Sequence, residues 1–165
     1  SIGLKVNASS LLQPDFPEFV DRALRTWGVL PDRLVIEIHE TALAGGIEQV
    51  KETLVRLKAF GLRLGIDGFG TGSSSLSNLA QLPLDEMKLG TTFVGGMCRA
   101  TLHAKIVRSR GQLAQNLGLR VAAEGVEDAE TAQALAALGC ERIQGGYVSP
   151  PLAAQEILAQ YAPQR

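Results

Sequence analysis

Six polar side chains recur along the chain, Asn7, Glu37, Asp67, Lys88, Glu124 and Gln144, spaced 20 to 36 residues apart. Each stands near the end of an apolar run. Taken singly they have plain explanations, since an Asp at a strand end can cap a helix and Lys88 can be a solvated surface residue. Together they are three carboxylates, two amides and one lysine in a common phase. Hard oxygen donors of this kind suit Mg²⁺ or Mn²⁺, the cations that handle phosphates.

The elements that would gather these groups follow from the pattern of apolar residues. Strand-like runs stand at residues 2–7, 33–40, 62–67, 84–90, 119–125 and 141–149, and each is followed by a helical stretch. In the second of these stretches Ile47, Val50, Leu54, Leu57 and Phe60 keep the three-four spacing of a helix face. Gly28, Gly61, Gly118 and Gly139 stand where helices should end. Six alternating β and α segments, with no pair of runs placed to form a hairpin, imply an α/β fold with a parallel sheet covered by helices. A doubly wound sheet and a (β/α) barrel both satisfy the pattern. Closure into a barrel would point all six strand-end groups into one mouth, the face at which barrel enzymes carry their sites.

Bulk properties exclude several classes. The chain has 165 residues, 45% hydrophobic and 20% charged, with formal net charge −1. No global field recruits nucleic acid or an anionic membrane surface. No apolar run approaches the roughly 20 residues that span a bilayer, and no signal peptide is expected from the opening residues. A cytoplasmic domain is expected, within a parent that could itself be membrane-anchored. Cys98 and Cys140 lack metal-ligand spacing and are expected to be buried thiols in a reducing compartment. The chain is read as one domain over 1–165, and its opening directly on strand-like sequence suggests a piece of something longer.

The stretch LGIDGFGTGSSSL, residues 64–76, contains Gly68, Gly70 and Gly72. Their G-x-G-x-G spacing is not that of a dinucleotide-binding turn, and a carboxylate at the strand end would repel a pyrophosphate. No G-K-[ST] follows, so a phosphate-binding loop of the nucleoside triphosphatase type is excluded.

The segments N-A-S (7–9), E-I-H-E (37–40), D-G-F-G-T-G (67–72), L-P-L-D-E-M-K (82–88), A-E-G-V-E (123–127) and Q-G-G-Y-V-S-P-P-L (144–152) resemble, in order and over nearly the whole chain, the EAL domain. That family comprises cyclic di-GMP phosphodiesterases built on a TIM-like (β/α) barrel. The resemblance implies that this chain supplies strands three to eight, with the first two strands and the name-giving E-A-L motif absent. It further implies that Asn7, Glu37, Asp67 and Glu124 match metal ligands, that Lys88 orients or deprotonates the attacking water, and that Gln144 supports it. Glu40 matches a glutamate that anchors the loop after Asp67. In active members two divalent ions activate that water and neutralise the leaving oxygen.

The chain departs from the family at informative places. The family's D-D-F-G is D-G-F-G here, so Gly68 replaces a carboxylate of the two-metal site, and K-I-D becomes K-L-G, with Gly90 in place of Asp. Ser73 stands where an aromatic is usual. Fewer anionic groups leave two +2 ions with less to hold them together, so at most one Mg²⁺ or Mn²⁺ is expected to be retained. The expectation is a degenerate domain, inactive or weak, acting as a cyclic di-GMP receptor or regulatory interaction module. Alternatives are an active phosphodiesterase and a scaffold that binds no nucleotide. His39 shares the strand face of Glu37 and is read as a hydrogen-bonded filler, with a replacement ligand as the other reading; His103 is given no role. The resemblance also implies a homodimer through the loop and helix after Asp67, and sensor, receiver or GGDEF-like modules upstream in the parent.

Overall fold

The computed structural model describes residues 1–43, 47–68 and 76–161. Six strands form one sheet in chain order: β1 (Ile2–Val6), β2 (Leu34–His39), β3 (Arg63–Asp67), β4 (Glu86–Leu89), β5 (Arg120–Glu124) and β6 (Arg142–Gln144). Every neighbouring pair is parallel. The sheet curls into a half-barrel, so of the two architectures compatible with the sequence pattern the barrel type is the one adopted.

Strand alternation gives the sheet two unlike faces. Ile36, Ile38, Leu64, Ile66, Met87, Leu89, Val121 and Ala123 point outward and pack into the hydrophobic core with the helices. The intervening positions point into the lumen. The register aligns Lys5 with Glu37, Glu37 with Gly65, Asp67 with Lys88 and Glu124 with Gln144, so the lumen side is a polar row.

Helices α1 (Ala8–Leu11), α2 (Phe16–Trp27), α3 (Ile47–Ala59), α4 (Leu76–Leu79), α5 (Thr91–Val94), α6 (Thr101–Asn116), α7 (Ala129–Ala137) and α8 (Ala154–Tyr161) connect the strands. In α3, Val50, Leu54 and Leu57 are fully buried while Ile47 and Phe60 flank the core, as their spacing requires. Helix α2 ends at Gly28, whose φ of 64° is the left-handed conformation a Cβ disfavours; its amide hydrogen-bonds back to Leu24 and Arg25 carbonyls. The other three expected terminators, Gly61, Gly118 and Gly139, also have positive φ.

Some local structure departs from the sequence reading. The polar turn expected after β1 contains the four-residue α1, and α5 forms directly after β4. Four residues are too short to display a helical period. Cys98 is exposed rather than buried, while Cys140 is half-buried; both are free thiols. Burial pushes the Cys140 thiol up from its usual pKa. The helical stretch expected after the third strand is observed as Leu76–Leu79, and residues 69–75 of the preceding loop, with Ser73, lie outside the described residues. None of the helices among the described residues is long and apolar enough to cross a membrane.

Candidate functional site

Five of the six strand-end groups converge at the lumen mouth, and a lysine that the sequence reading passed over joins them. Lys88, on β4, donates from Nζ to Glu37 Oε2 at 2.9 Å and to Gln144 Oε1 at 3.1 Å, and lies 3.5 Å from Glu124 Oε2. Lys88, Glu37 and Asp67 are all buried. Lys5, on β1, reaches across the lumen and donates to Asp67 Oδ2 at 2.8 Å and Glu124 Oε2 at 3.2 Å. The hydrogen bond it donates to Asp67 raises the Lys5 ammonium above its ordinary pKa, with partial burial opposing. Three carboxylates thus face two ammonium groups.

Gly3, two residues before Lys5 on the same strand face, is what leaves room for Glu37. A Cβ there would lie 2.1 Å from Glu37 Oε1. Deeper in the lumen Arg142 of β6 pairs with buried Glu86 of β4 and donates to Ser1 Oγ at 2.9 Å.

Asn7, directly after β1, has its side-chain oxygen engaged by the following helix. It caps α1, its Oδ1 accepting from the Ser10 amide at 2.8 Å and the Ser9 hydroxyl at 2.9 Å. Glu40 is fully buried in the 3-10 turn Glu40–Leu43 that follows β2. Its charge is felt by Arg110 of α6, whose guanidinium is lowered in pKa by burial and raised by Glu40. Arg110 also lies over the Phe93 ring, 4.4 Å from its centroid. The loop that Glu40 is expected to anchor is outside the described residues.

The two glycines that stand at family carboxylate positions are unlike each other. Gly90 is the extended N-cap of α5, with no atom within 4 Å of where a Cβ would be. Gly68 has φ of 69°, and a Cβ there would lie 2.8 Å from His39 Nε2. His39 fills the space a side chain at 68 would need, and its Nδ1 hydrogen-bonds Thr41 Oγ1 at 2.8 Å. His103, on α6, packs edge-on against Phe93, away from the cluster.

Beside Glu124 and Gln144 a groove of about 620 Å³ opens, walled by Thr91, Glu127, Gly145, Pro150 and Tyr161 among others. It adjoins the lumen mouth, sharing Glu124 and Gln144 with the charged cluster.

The donor chemistry at the mouth is right for a hard cation, but the carboxylates there are paired with lysines. Among the described residues no three His, Cys, Asp or Glu side chains are grouped so as to hold an ion. The position between Asp67 and Glu124 is taken by the Lys5 ammonium.

A half-barrel of parallel strands with this lumen mouth defines the class, and the comparisons agree. The model of the EAL domain matches residues 1–151. The chain is 39% identical over 144 residues to an uncharacterized protein of Azorhizobium caulinodans, covering 87% of this chain and 20% of that protein. It is 31% identical over 162 residues to the bifunctional diguanylate cyclase/cyclic di-GMP phosphodiesterase MucR of Pseudomonas aeruginosa, covering 98% of this chain and 24% of that protein. The EAL domain of Mycobacterium smegmatis DcpA superposes with a TM-score of 0.92 at 34% identity, over 99% of this chain and 73% of that one. A manganese/cyclic di-GMP complex of Klebsiella pneumoniae BlrP1 superposes with a TM-score of 0.78 at 31% identity, over 87% and 37%. The chain belongs to the EAL domain family of cyclic di-GMP signalling. It spans about a fifth of the length of these two curated relatives.

The sequence reading missed Lys5, Glu86 and Arg142. For Lys5 a signal existed: it lies two residues before Asn7, in phase with Gly3 and opposite in sign to every carboxylate of the cluster. No motif marks it, and its partner Glu124 is 119 residues away.

Proposed function

We propose that this chain is a degenerate EAL domain that binds cyclic di-GMP as a receptor or regulatory module and hydrolyses it weakly or not at all. The observation that carries the reading is the cation balance at the mouth. Gly68 and Gly90 remove two carboxylates that active relatives are expected to have, and an ammonium stands between two of those that remain. With the family's anionic groups thinned, the requirement for two divalent ions a few ångströms apart is not met. Lys5, more than half exposed, instead presents positive charge to the phosphates of a bound nucleotide, and the adjoining groove receives the rest of it. Asn7, Glu37, Asp67 and Glu124 are assigned to the ion-binding side of the mouth, with at most one Mg²⁺ or Mn²⁺. Lys88, Glu124, Glu40 and Gln144 are assigned to the catalytic side inherited from the family.

The intact protein should bind cyclic di-GMP in calorimetry with EDTA present, and should release little linear dinucleotide with Mg²⁺ or Mn²⁺ by chromatography. Brisk hydrolysis would establish the phosphodiesterase reading instead, which the intact Lys88, Glu37 and Gln144 cluster favours. No heat at all would leave a scaffold. Upstream sensor, receiver or GGDEF-like modules, a cytoplasmic setting and a homodimer through the segment after Asp67 belong to the same proposal. The greater length of the curated relatives supports the first of these.

A further inference from the structure

Lys5 is the one member of the cluster that neither the family motifs nor the strand-end pattern singled out, and its geometry gives it a defined job. Its Nζ lies 2.8 Å from Asp67 Oδ2 and 3.2 Å from Glu124 Oε2, bringing together side chains from β1, β3 and β5. Those two carboxylates are the ones the EAL reading assigns to ion binding. The side chain itself is 58% exposed, so nothing in the packing of the core forces it inward. What holds it there is the charge it neutralises.

We infer that Lys5 is a tethered cation that occupies the divalent-ion position between Asp67 and Glu124, so that a metal ion binds there only by displacing the ammonium. The inference rests on the EAL reading of Asp67 and Glu124 as ion ligands. A divalent ion needs oxygen donors at about 2.0–2.2 Å, so it and an ammonium that donates to the same oxygens exclude one another. The ammonium is part of the chain and therefore present at high effective concentration, whereas the ion must be supplied from solution. Lys88 is not equivalent: it is buried and committed to Glu37 and Gln144. The lumen of this chain thus carries its own counter-ion for Asp67 and Glu124, and its dependence on metal is reduced accordingly.

The test is Mn²⁺ binding to the intact protein, read by electron paramagnetic resonance and calorimetry without nucleotide. Lys5→Met should tighten Mn²⁺ binding by about tenfold or more, the scale of removing one nearby unit charge at partial burial. Lys5→Arg keeps the charge and should leave binding as in the parent. In Lys5→Met/Asp67→Asn the gain should vanish. A Lys5→Met protein with unchanged Mn²⁺ affinity overturns the inference, as does a gain that persists after Asp67→Asn or appears equally in Lys5→Arg. Thermal denaturation of each variant separates these outcomes from misfolding, and anomalous diffraction from Lys5→Met crystals soaked in Mn²⁺ reads the ion's position directly. Failure of the parent to bind cyclic di-GMP would sink the receptor reading while leaving these Mn²⁺ outcomes intact.

Discussion

The two faces of one sheet differ in what holds them. On the helix side Ile36, Ile38, Leu64 and Ile66 are buried without polar atoms, and their packing is non-directional. On the lumen side the residues between them are Glu37, Gly65 and Asp67, whose placement depends on specific donors at specific distances. On the lumen side the curl of the sheet brings Asp67 of β3 and Glu124 of β5 within reach of one ammonium on β1. A face made of apolar groups tolerates exchange of similar volume, whereas a face made of paired charges does not tolerate loss of one partner.

The sharpest way to break the comparison is Lys88→Met. It strands buried Glu37 without its cation and is expected to cost about 3–5 kcal/mol in chemical denaturation, the range for removing one member of a buried pair. Ile66→Ala on the opposite face should cost about 2–4 kcal/mol, through lost burial and a cavity. Equal sensitivity to a polar, isosteric exchange on both faces would erase the distinction.

Gly3→Ala sharpens it further. Its Cβ would fall on Glu37 Oε1, so the carboxylate must turn; a loss of about 1–3 kcal/mol is expected, accompanied by weaker cyclic di-GMP binding in calorimetry. Gly90→Asp should instead be tolerated, with melting changed by the equivalent of only a few tenths of a kcal/mol, because the position is open and already an N-cap. The smallest effect lies outside the sheet. Asp128 caps α7, and the Thr131 amide at 2.7 Å holds its carboxyl below the ordinary range. A depressed folded-state pKa contributes stability that is complete above the unfolded-chain value of about 3.9 and is lost as pH falls through the lower folded value. Asn is about as good an N-cap and has no carboxyl to protonate, so Asp128→Asn should keep neutral-pH stability nearly unchanged and flatten that acid limb in denaturation profiles.

Much of the helix side was legible in the sequence because it is written locally. A short apolar run marks each strand, the spacing of Val50, Leu54 and Leu57 marks α3, and Gly28, Gly61, Gly118 and Gly139 mark helix ends. The convergence of Glu37, Asp67, Lys88, Glu124 and Gln144 was legible too, since in-phase strand ends must meet when a parallel sheet curls. Lys5 was not, because its importance is a relation between β1 and β5 that no local pattern records. The exposed thiol of Cys98 and the short helices α1 and α5 escaped for the opposite reason: too few residues are involved for any period to show. Asn7 was placed correctly at the end of β1, yet its carbonyl oxygen turns to the chain's own next helix.

The reach of Lys5 and Arg142 has a mechanical consequence. Both act like bowstrings: one runs from β1 to β5, the other from β6 back to Ser1 beside β1. The two ends of the arc are thus tied by charged side chains, with which salt or a bound phosphate would compete. A ligand arriving at the mouth would meet the same side chains that join the first strand to the far side of the arc.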